Sequence, residues 1–320
     1  MTAAPRFLGA AAGVALDRLV GEPPAAHPVA CYGRLMAAAE ARLWHDSRGW
    51  GAAFATGGVG LGAAAGAALH GALARVVRHG PAGGPELAST AVATGMAVAG
   101  RALAGEARAV AAALAAGDVA SARALLPALC GRDPDVLDDK GVARATVESV
   151  AENTVDAVVA PVFWAALGGA PGAWAYRAAN TLDAMVGHRS PRHLRFGWAA
   201  ARLDDVANWL PARLTAVLVA AVRPAAAAEV AAVLRRPPAH PSPNAAVSEA
   251  AFAVALGVRL GGDTVYDGRV DPRPTFGAGR PPEPSDIEAA VRLSADVTAA
   301  LAAALTGLGL LAGARGRWRR

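Results

Sequence analysis

Apolar and polar positions along this chain fall in blocks rather than alternating residue by residue. Three blocks are long: Gly49 to Ala74, uncharged apart from His70 if protonated; Ala157 to Tyr176; and Val297 to Ala314. The second runs for 20 residues and the third for 18. A helix needs roughly 20 apolar residues to cross a hydrocarbon core, so each block predicts a crossing. Val206 to Val222, interrupted by Pro211 and Arg213, is a weaker candidate, and Leu87 to Gly100 is short. β-Branched and aromatic residues are few and do not alternate, so strand signals are scarce. The pattern predicts an all-α fold: a polytopic helical membrane protein with a single domain over 1–320. A soluble, alanine-rich helical protein is the competing reading, and three separate blocks of near-membrane length favour the bilayer.

Gly and Pro punctuate the helices. Gly21 to Pro28, Gly80 to Pro85, Arg235 to Asn244 and Gly261 to Pro284 read as extramembrane loops. Ser285-Asp-Ile-Glu288 has the form of a capping box and predicts the start of the last long helix. The short run Phe7 to Leu16 is broken by Asp17-Arg18 and lacks a small-residue cleavage site, so it is expected to be retained.

Acids and amides stand against this apolar background between 144 and 213. Arg144, Glu148, Glu152 and Asp156 recur every fourth position. On one helix they form a polar stripe roughly 18 Å long. The bland alternative is a solvated face with an Arg–Glu pair, but like-charged neighbours repel and a divalent cation would relieve them. Asn153 follows Glu152, and Asn180-Thr-Leu-Asp183 adds an amide and an acid that alone read as a helix cap. Arg202-Leu-Asp204-Asp205 then leads to Asn208 and Arg213. An isolated charge buried in apolar surroundings costs several kcal/mol, so these acids require metal, arginine or a charged ligand. Paired carboxylates with arginines nearby suit magnesium held together with substrate phosphates. His27, His188 and His240 adjoin turn residues, where a histidine is usually structural. His240 stands out because Pro-Ser-Pro-Asn244 and then Glu249 follow it.

Composition narrows the partners. The 320 residues are 54% hydrophobic and 18% charged, with mean hydropathy +0.32 and net charge +5. Lys140 is the only lysine, and the basic tail from Arg315 follows the last apolar block. That tail places the C-terminus in the cytoplasm by the positive-inside rule and reads as a headgroup anchor. Dispersed arginines without stacking aromatics exclude nucleic acid as a partner. Cys31 and Cys130 form no CxxC and fit a reducing compartment. No P-loop, G-x-S-x-G elbow or HExxH is present, so any use of ATP bypasses the common P-loop.

In order along the chain come Asp17 to Pro23 with His27-Pro28-Val29, Gly131-Arg132-Asp133, the Glu148–Glu152-Asn153–Asp156 group, and Ala160-Pro161. Tyr176 to Gly187 follows with the Asn180–Asp183 pair, then Ala201 to Arg213, His240 to Asn244, and Gly257 to Gly262. So ordered a set resembles the CobD/CbiB family, the adenosylcobinamide-phosphate synthases of cobalamin biosynthesis. Arg177 and Ala184 depart from the family pattern, where lysine and serine are expected. The resemblance implies a multi-pass enzyme of the cytoplasmic membrane that joins cobyric acid to aminopropanol, or its phosphate, as an amide, with ATP as co-substrate and Mg²⁺ as cofactor. The clustering of the acids and amides, rather than the resemblance, assigns catalytic roles to Glu148, Glu152, Asp183 and Asp205. Metal ligation falls to Glu148, Glu152, Asp156, Asp204 and Asp205. Substrate or phosphate binding falls to Asn153, Asn180, Arg202, Asn208, Arg213, His240 and Asn244. The bilayer and other membrane-bound cobalamin enzymes are the implied partners. A membrane corrinoid carrier without ligase activity explains the apolar blocks but not the dense acid–amide pairing. A prenyl-diphosphate enzyme explains the aspartates but gives His240 to Asn244 no role.

Overall fold

The computed structural model describes residues 3–21, 27–77, 83–239, 241–266, 269–271 and 273–318. His240 and the last residues of the basic tail lie outside them. Among the described residues twelve α-helices dominate: α1 (Ala4–Val20), α2 (Pro28–Leu43), α3 (Arg48–Val76), α4 (Gly84–Ala97), α5 (Gly100–Ala115), α6 (Val119–Leu125), α7 (Asp139–Thr154), α8 (Ala160–Leu182), α9 (Trp198–Val222), α10 (Ala227–Arg235), α11 (Ala245–Leu256) and α12 (Pro284–Trp318). Wider π-helical turns, Val155–Val159 and Asp183–Gly187, flank α8. Among the described residues, five stretches are long and apolar enough to cross a membrane: Arg48–Val76, Gly84–Ala115, Asp139–Gly187, Trp198–Val222 and Pro284–Arg315. The protein is an all-α, polytopic helical membrane protein.

The chain forms two compact units, each assembled from separated stretches. Residues 1–99, 156–208 and 301–320 make unit 1, and residues 100–155 and 209–300 make unit 2.

In unit 1 the block Ala157 to Tyr176, expected to be one crossing, reverses. Gly169 takes φ 63° and ψ −150°, a backbone state essentially restricted to glycine, and Pro171 follows it. The Tyr176 hydroxyl therefore lies 3.1 Å from the Asp156 carbonyl, although 20 residues of straight helix would separate them by roughly 30 Å. A side chain at Gly172 would meet the Trp164 carbonyl of the opposite arm. Composition alone could not reveal this, because both arms are equally apolar. At the tip, Arg6 donates to the Leu167 carbonyl at 2.8 Å and pairs with Glu86 at 2.7 Å. Backbone freed by a break at membrane depth needs such partners.

Small residues let the helices approach. Gly9 and Gly13 of α1 face α4, where Cβ atoms would collide with Leu87 and Thr94. Gly62 and Gly66 of α3 lie against the backbone of Trp174 and Ala170 in the second arm of α8. This small-xxx-small spacing permits close packing where lipid offers no hydrophobic drive between helices. Phe54 and Phe196 pack with ring centroids 5.0 Å apart and planes tilted by 43°, in a core with Met36, Leu182 and Val186.

In unit 2, α5, α6, α7 and α11 pack around one another. Asp138 caps α7 by accepting the Gly141 N–H at 2.7 Å. The loop expected over Gly261 to Pro284 begins one residue earlier in two short antiparallel ladders, Leu260–Gly261 with Thr275–Phe276 and Thr264–Tyr266 with Arg269–Asp271. Two or three residues are too few to show a period of two. The expected capping box is displaced. Pro284 opens α12, Asp286 accepts the Glu283 N–H at 2.7 Å, and Glu288 instead pairs with Arg108 at 2.9 Å.

Gly66→Leu is expected to cost roughly 1–3 kcal/mol by forcing α3 off the hairpin, measured as a lower melting temperature in detergent. Gly57→Leu, with nothing within 4 Å of its added Cβ, should stay within about 0.5 kcal/mol of the parent. Equal melting of the two variants would disprove the glycine seat.

Candidate functional site

Most of the acids and amides that the sequence singles out form local networks, and each network belongs to one unit. In unit 1 the second arm of α8 carries Tyr176, Arg177 and Asn180 on neighbouring turns, and α9 carries Asp204 and Asn208. Asp204 Oδ1 accepts from Asn180 Nδ2 at 3.2 Å, and its Oδ2 accepts from Asn208 Nδ2 at 3.0 Å. The Tyr176 hydroxyl lies 2.8 Å from Asn208 Oδ1, so its proton is shared between that oxygen and the Asp156 carbonyl. Arg177 Nη1 donates to Asn180 Oδ1 at 3.2 Å. The chain Arg177–Asn180–Asp204–Asn208–Tyr176 thus fixes a carboxylate between two amides. Asn208 is only 1% exposed, so its bonds face little competition from water. Asp205, one residue on, points elsewhere and pairs with the exposed Arg202 at 3.1 Å. Asp183 lies in the π-helical turn with its carboxylate folded against Gly187.

In unit 2 the predicted polar stripe is broken up. Glu148 is 2% exposed, and its partner is Arg132 rather than Arg144. Its other oxygen accepts the Gly261 N–H at 2.6 Å. Arg144 donates to the Gly261 carbonyl at 2.6 Å and to the Asp263 carbonyl at 3.1 Å. Together the two side chains hold the peptides on either side of Gly261, which has φ 76° and where any Cβ would strike the Pro274 carbonyl. Glu152, one turn beyond Glu148, is exposed. Asp156 falls in the π-helical turn and belongs to unit 1, so the stripe is not one continuous face. Asn153 donates to the Ser149 carbonyl and hydroxyl at 3.0 and 3.1 Å.

Arg213 stacks over Trp209 at 4.5 Å and donates to Asn244 Oδ1 at 3.0 Å. Ser242 accepts the Ala245 N–H at 3.2 Å, which explains the Pro-Ser-Pro-Asn turn as the start of α11.

Sequence reasoning assigned no role to Arg132, Tyr176 or Glu249. Tyr176 was hidden at the end of an uncharged block. Glu249 had a usable signal, a lone acid inside the apolar helix α11. It is 3% exposed. Burial pushes its pKa well above the ordinary 4.5, with repulsion from Glu148 and Glu152 adding and attraction to Arg132 and Arg273 opposing.

Among the described residues, no three His, Cys, Asp or Glu side chains are grouped to hold a metal ion. A full protein cage for a cation is therefore lacking among them. Magnesium bound with phosphates needs only one or two carboxylates; Asp204 and Asp205 are adjacent on α9, the first held by Asn180 and Asn208 and the second turned to Arg202.

Residues 10–294 match the family described as CobD/CbiB protein. A cobalamin biosynthesis protein CobD of Mycobacterium tuberculosis (strain ATCC 25618 / H37Rv) is 48% identical over 301 residues, 93% of this chain and 94% of the relative. The protein of that name in Chromobacterium violaceum is 45% identical over 280 residues, covering 87% and 88%. In Geobacter metallireducens it is 43% identical over 278 residues, covering 82% and 84%. No solved structure matches.

An acid whose folded pKa is raised binds more protons folded than unfolded. Its stability contribution therefore falls as pH rises above the ordinary value of 4.5. Glu249→Gln is expected to flatten the decline in melting temperature between about pH 5 and 8 relative to the parent. Parallel pH profiles would contradict this account of Glu249.

Proposed function

The chain belongs to the CobD/CbiB protein family, and on that premise we propose that it acts in cobalamin biosynthesis as an ATP-dependent acid–amine ligase. It joins a propionate carboxylate of cobyric acid to aminopropanol, or its phosphate. The support is the amide-pinned Asp204 beside the Asp205–Arg202 pair in a chain without a P-loop.

A carboxylate and an ammonium do not condense unaided in neutral water. Transfer of the terminal phosphoryl group of ATP to the carboxylate oxygen creates a leaving group and releases ADP. Attack by the neutral amine then forms the C–N bond, breaks the C–O bond and releases phosphate. Magnesium, when bound, neutralises phosphate charge and orients the transferring group.

This chain's residues supply positioning and charge. Asp204 and Asp205 offer the oxygens for the magnesium–phosphate complex. Asn180 and Asn208 hold Asp204 in place, so little reorganisation is required when charge develops. Arg202 and Arg213 take phosphate or the substrate carboxylate. Exposed Glu152 receives the ammonium proton as general base, with Asn153 one residue on. Asp183 and Asp156 contribute further oxygens. Glu148 acts as a positioning residue through Arg132 and Gly261. Asn244 and His240 take part in substrate binding. The protein resides in the cytoplasmic membrane with its C-terminus in the cytoplasm.

Incubation of purified protein with cobyric acid, ATP, Mg²⁺ and aminopropanol phosphate should yield the amide by mass detection. Its absence from a folded sample would overturn the ligase reading. Asp205→Asn is expected to melt like the parent yet lose at least about tenfold activity at limiting Mg²⁺. Full activity under that condition would remove Asp205 from the magnesium–phosphate site.

A further inference from the structure

Two stretches of unit 1 that are far apart in sequence, residues 40–50 and 188–198, meet at one corner. Trp44 Nε1 donates to the Arg192 carbonyl at 3.1 Å, and Trp198 Nε1 donates to the Arg48 carbonyl at 3.0 Å. Arg192 stacks over the Trp44 ring at 4.6 Å and pairs with Glu40 at 3.0 Å. His193 bridges Glu40 and His188, at 3.0 Å to each. These contacts hold the corner in one geometry.

Its outer surface is both basic and apolar. Arg42, Arg48, Arg189, Arg192 and Arg195 are all exposed. The only acids in the two stretches are Glu40 and Asp46. Glu40 is taken by Arg192 and His193, and Asp46 faces Arg195 at 3.5 Å. Among the described residues no acid pairs with Arg42, Arg48 or Arg189. Beside these guanidinium groups Leu43, Trp50, Leu194 and Trp198 are exposed as well. Three of the chain's seven tryptophans stand in these two stretches, and tryptophan concentrates where lipid meets water.

Position indicates the partner. Two of the stretches long and apolar enough to cross a membrane, Arg48–Val76 and Trp198–Val222, start at this corner. Its arginines therefore stand at headgroup level, and its leucine and indole side chains stand where acyl chains begin. An acidic protein surface would answer the arginines and leave the leucines without apolar contact. A zwitterionic headgroup carries its own cation and gains little from unpaired guanidinium groups.

We propose that this corner binds the headgroups of anionic phospholipids. Arg42, Arg48 and Arg189 take phosphate oxygens, and Leu43, Trp50, Leu194 and Trp198 lie against the adjoining acyl chains. Residues 188–197 join the π-helical turn of Asp183 to α9, which carries Asp204 and Asp205. Lipid seated here steadies the connection between those acids. The surface does not depend on the ligase reading, and its test measures binding alone.

The full-length protein in a neutral detergent is titrated with phosphatidylglycerol or phosphatidylcholine, and bound lipid is counted by native mass spectrometry. Phosphatidylglycerol should be retained roughly tenfold more tightly than phosphatidylcholine. Arg48→Gln/Arg189→Gln should melt like the parent without lipid and weaken phosphatidylglycerol roughly thirtyfold. If it melts lower, Arg42→Gln decides, with an expected loss of roughly fivefold; its guanidinium reaches only the Ala38 carbonyl one turn back, among the described residues. The control Arg235→Gln/Arg236→Gln removes the same charge at the end of α10 and should leave retention unchanged. Equal retention of the two lipids overturns the proposal. So does equal weakening by both double variants, which would reduce the effect to net charge. ATP held more tightly than phosphatidylglycerol, and lost in Arg48→Gln/Arg189→Gln, would make the corner a nucleotide surface and overturn it too.

Discussion

The reversal of α8 at Gly169 is the constraint on which unit 1 depends. A glycine-only backbone state there brings Tyr176 back to the Asp156 carbonyl and places Arg177 and Asn180 where α9 can answer them. A straight helix would carry these groups roughly 30 Å from Asp156. The reversal needs support at its tip and along its side. Arg6 supplies the first by holding the Leu167 carbonyl, and Gly62 and Gly66 of α3 supply the second by admitting the returning arm. The polar network is thus a product of apolar packing.

Charges are neutralised locally in both units, by different means. Asp204 is held by two neutral amides, which fix its direction. Glu148 is held by an arginine and a backbone N–H, which commits it to the fold. The contrast divides acids that the sequence leaves equivalent. A carboxylate paired with buried arginine contributes little further charge to a ligand. One held by amides is oriented without a charged partner of its own.

Much of the architecture was legible because helix-length apolar blocks are a one-dimensional signal. Gly49 to Ala74 became α3, Val297 to Ala314 became most of α12, and Val206 to Val222 became most of α9. The break inside Ala157 to Tyr176 was illegible as a crossing count, because Gly168-Gly169 and Pro171 read equally well as tolerated helix residues in lipid. The site was legible as residue types: Asn180, Asp204 and Asn208 do meet. Their partners were not legible. Tyr176 reaches them only through the reversal. Arg132 displaces Arg144 from Glu148 through a loop contact that no helical spacing encodes. Glu249 becomes significant only once α11 is packed against α7.

The returning arm also has a consequence for sidedness. A stretch that enters the bilayer and comes back adds no crossing, so the chain leaves on the side it entered. Asp156 before the hairpin and Tyr176 on its returning arm therefore lie at the same end of it, although the 20 residues 157–176 of that stretch carry no charge to mark the return.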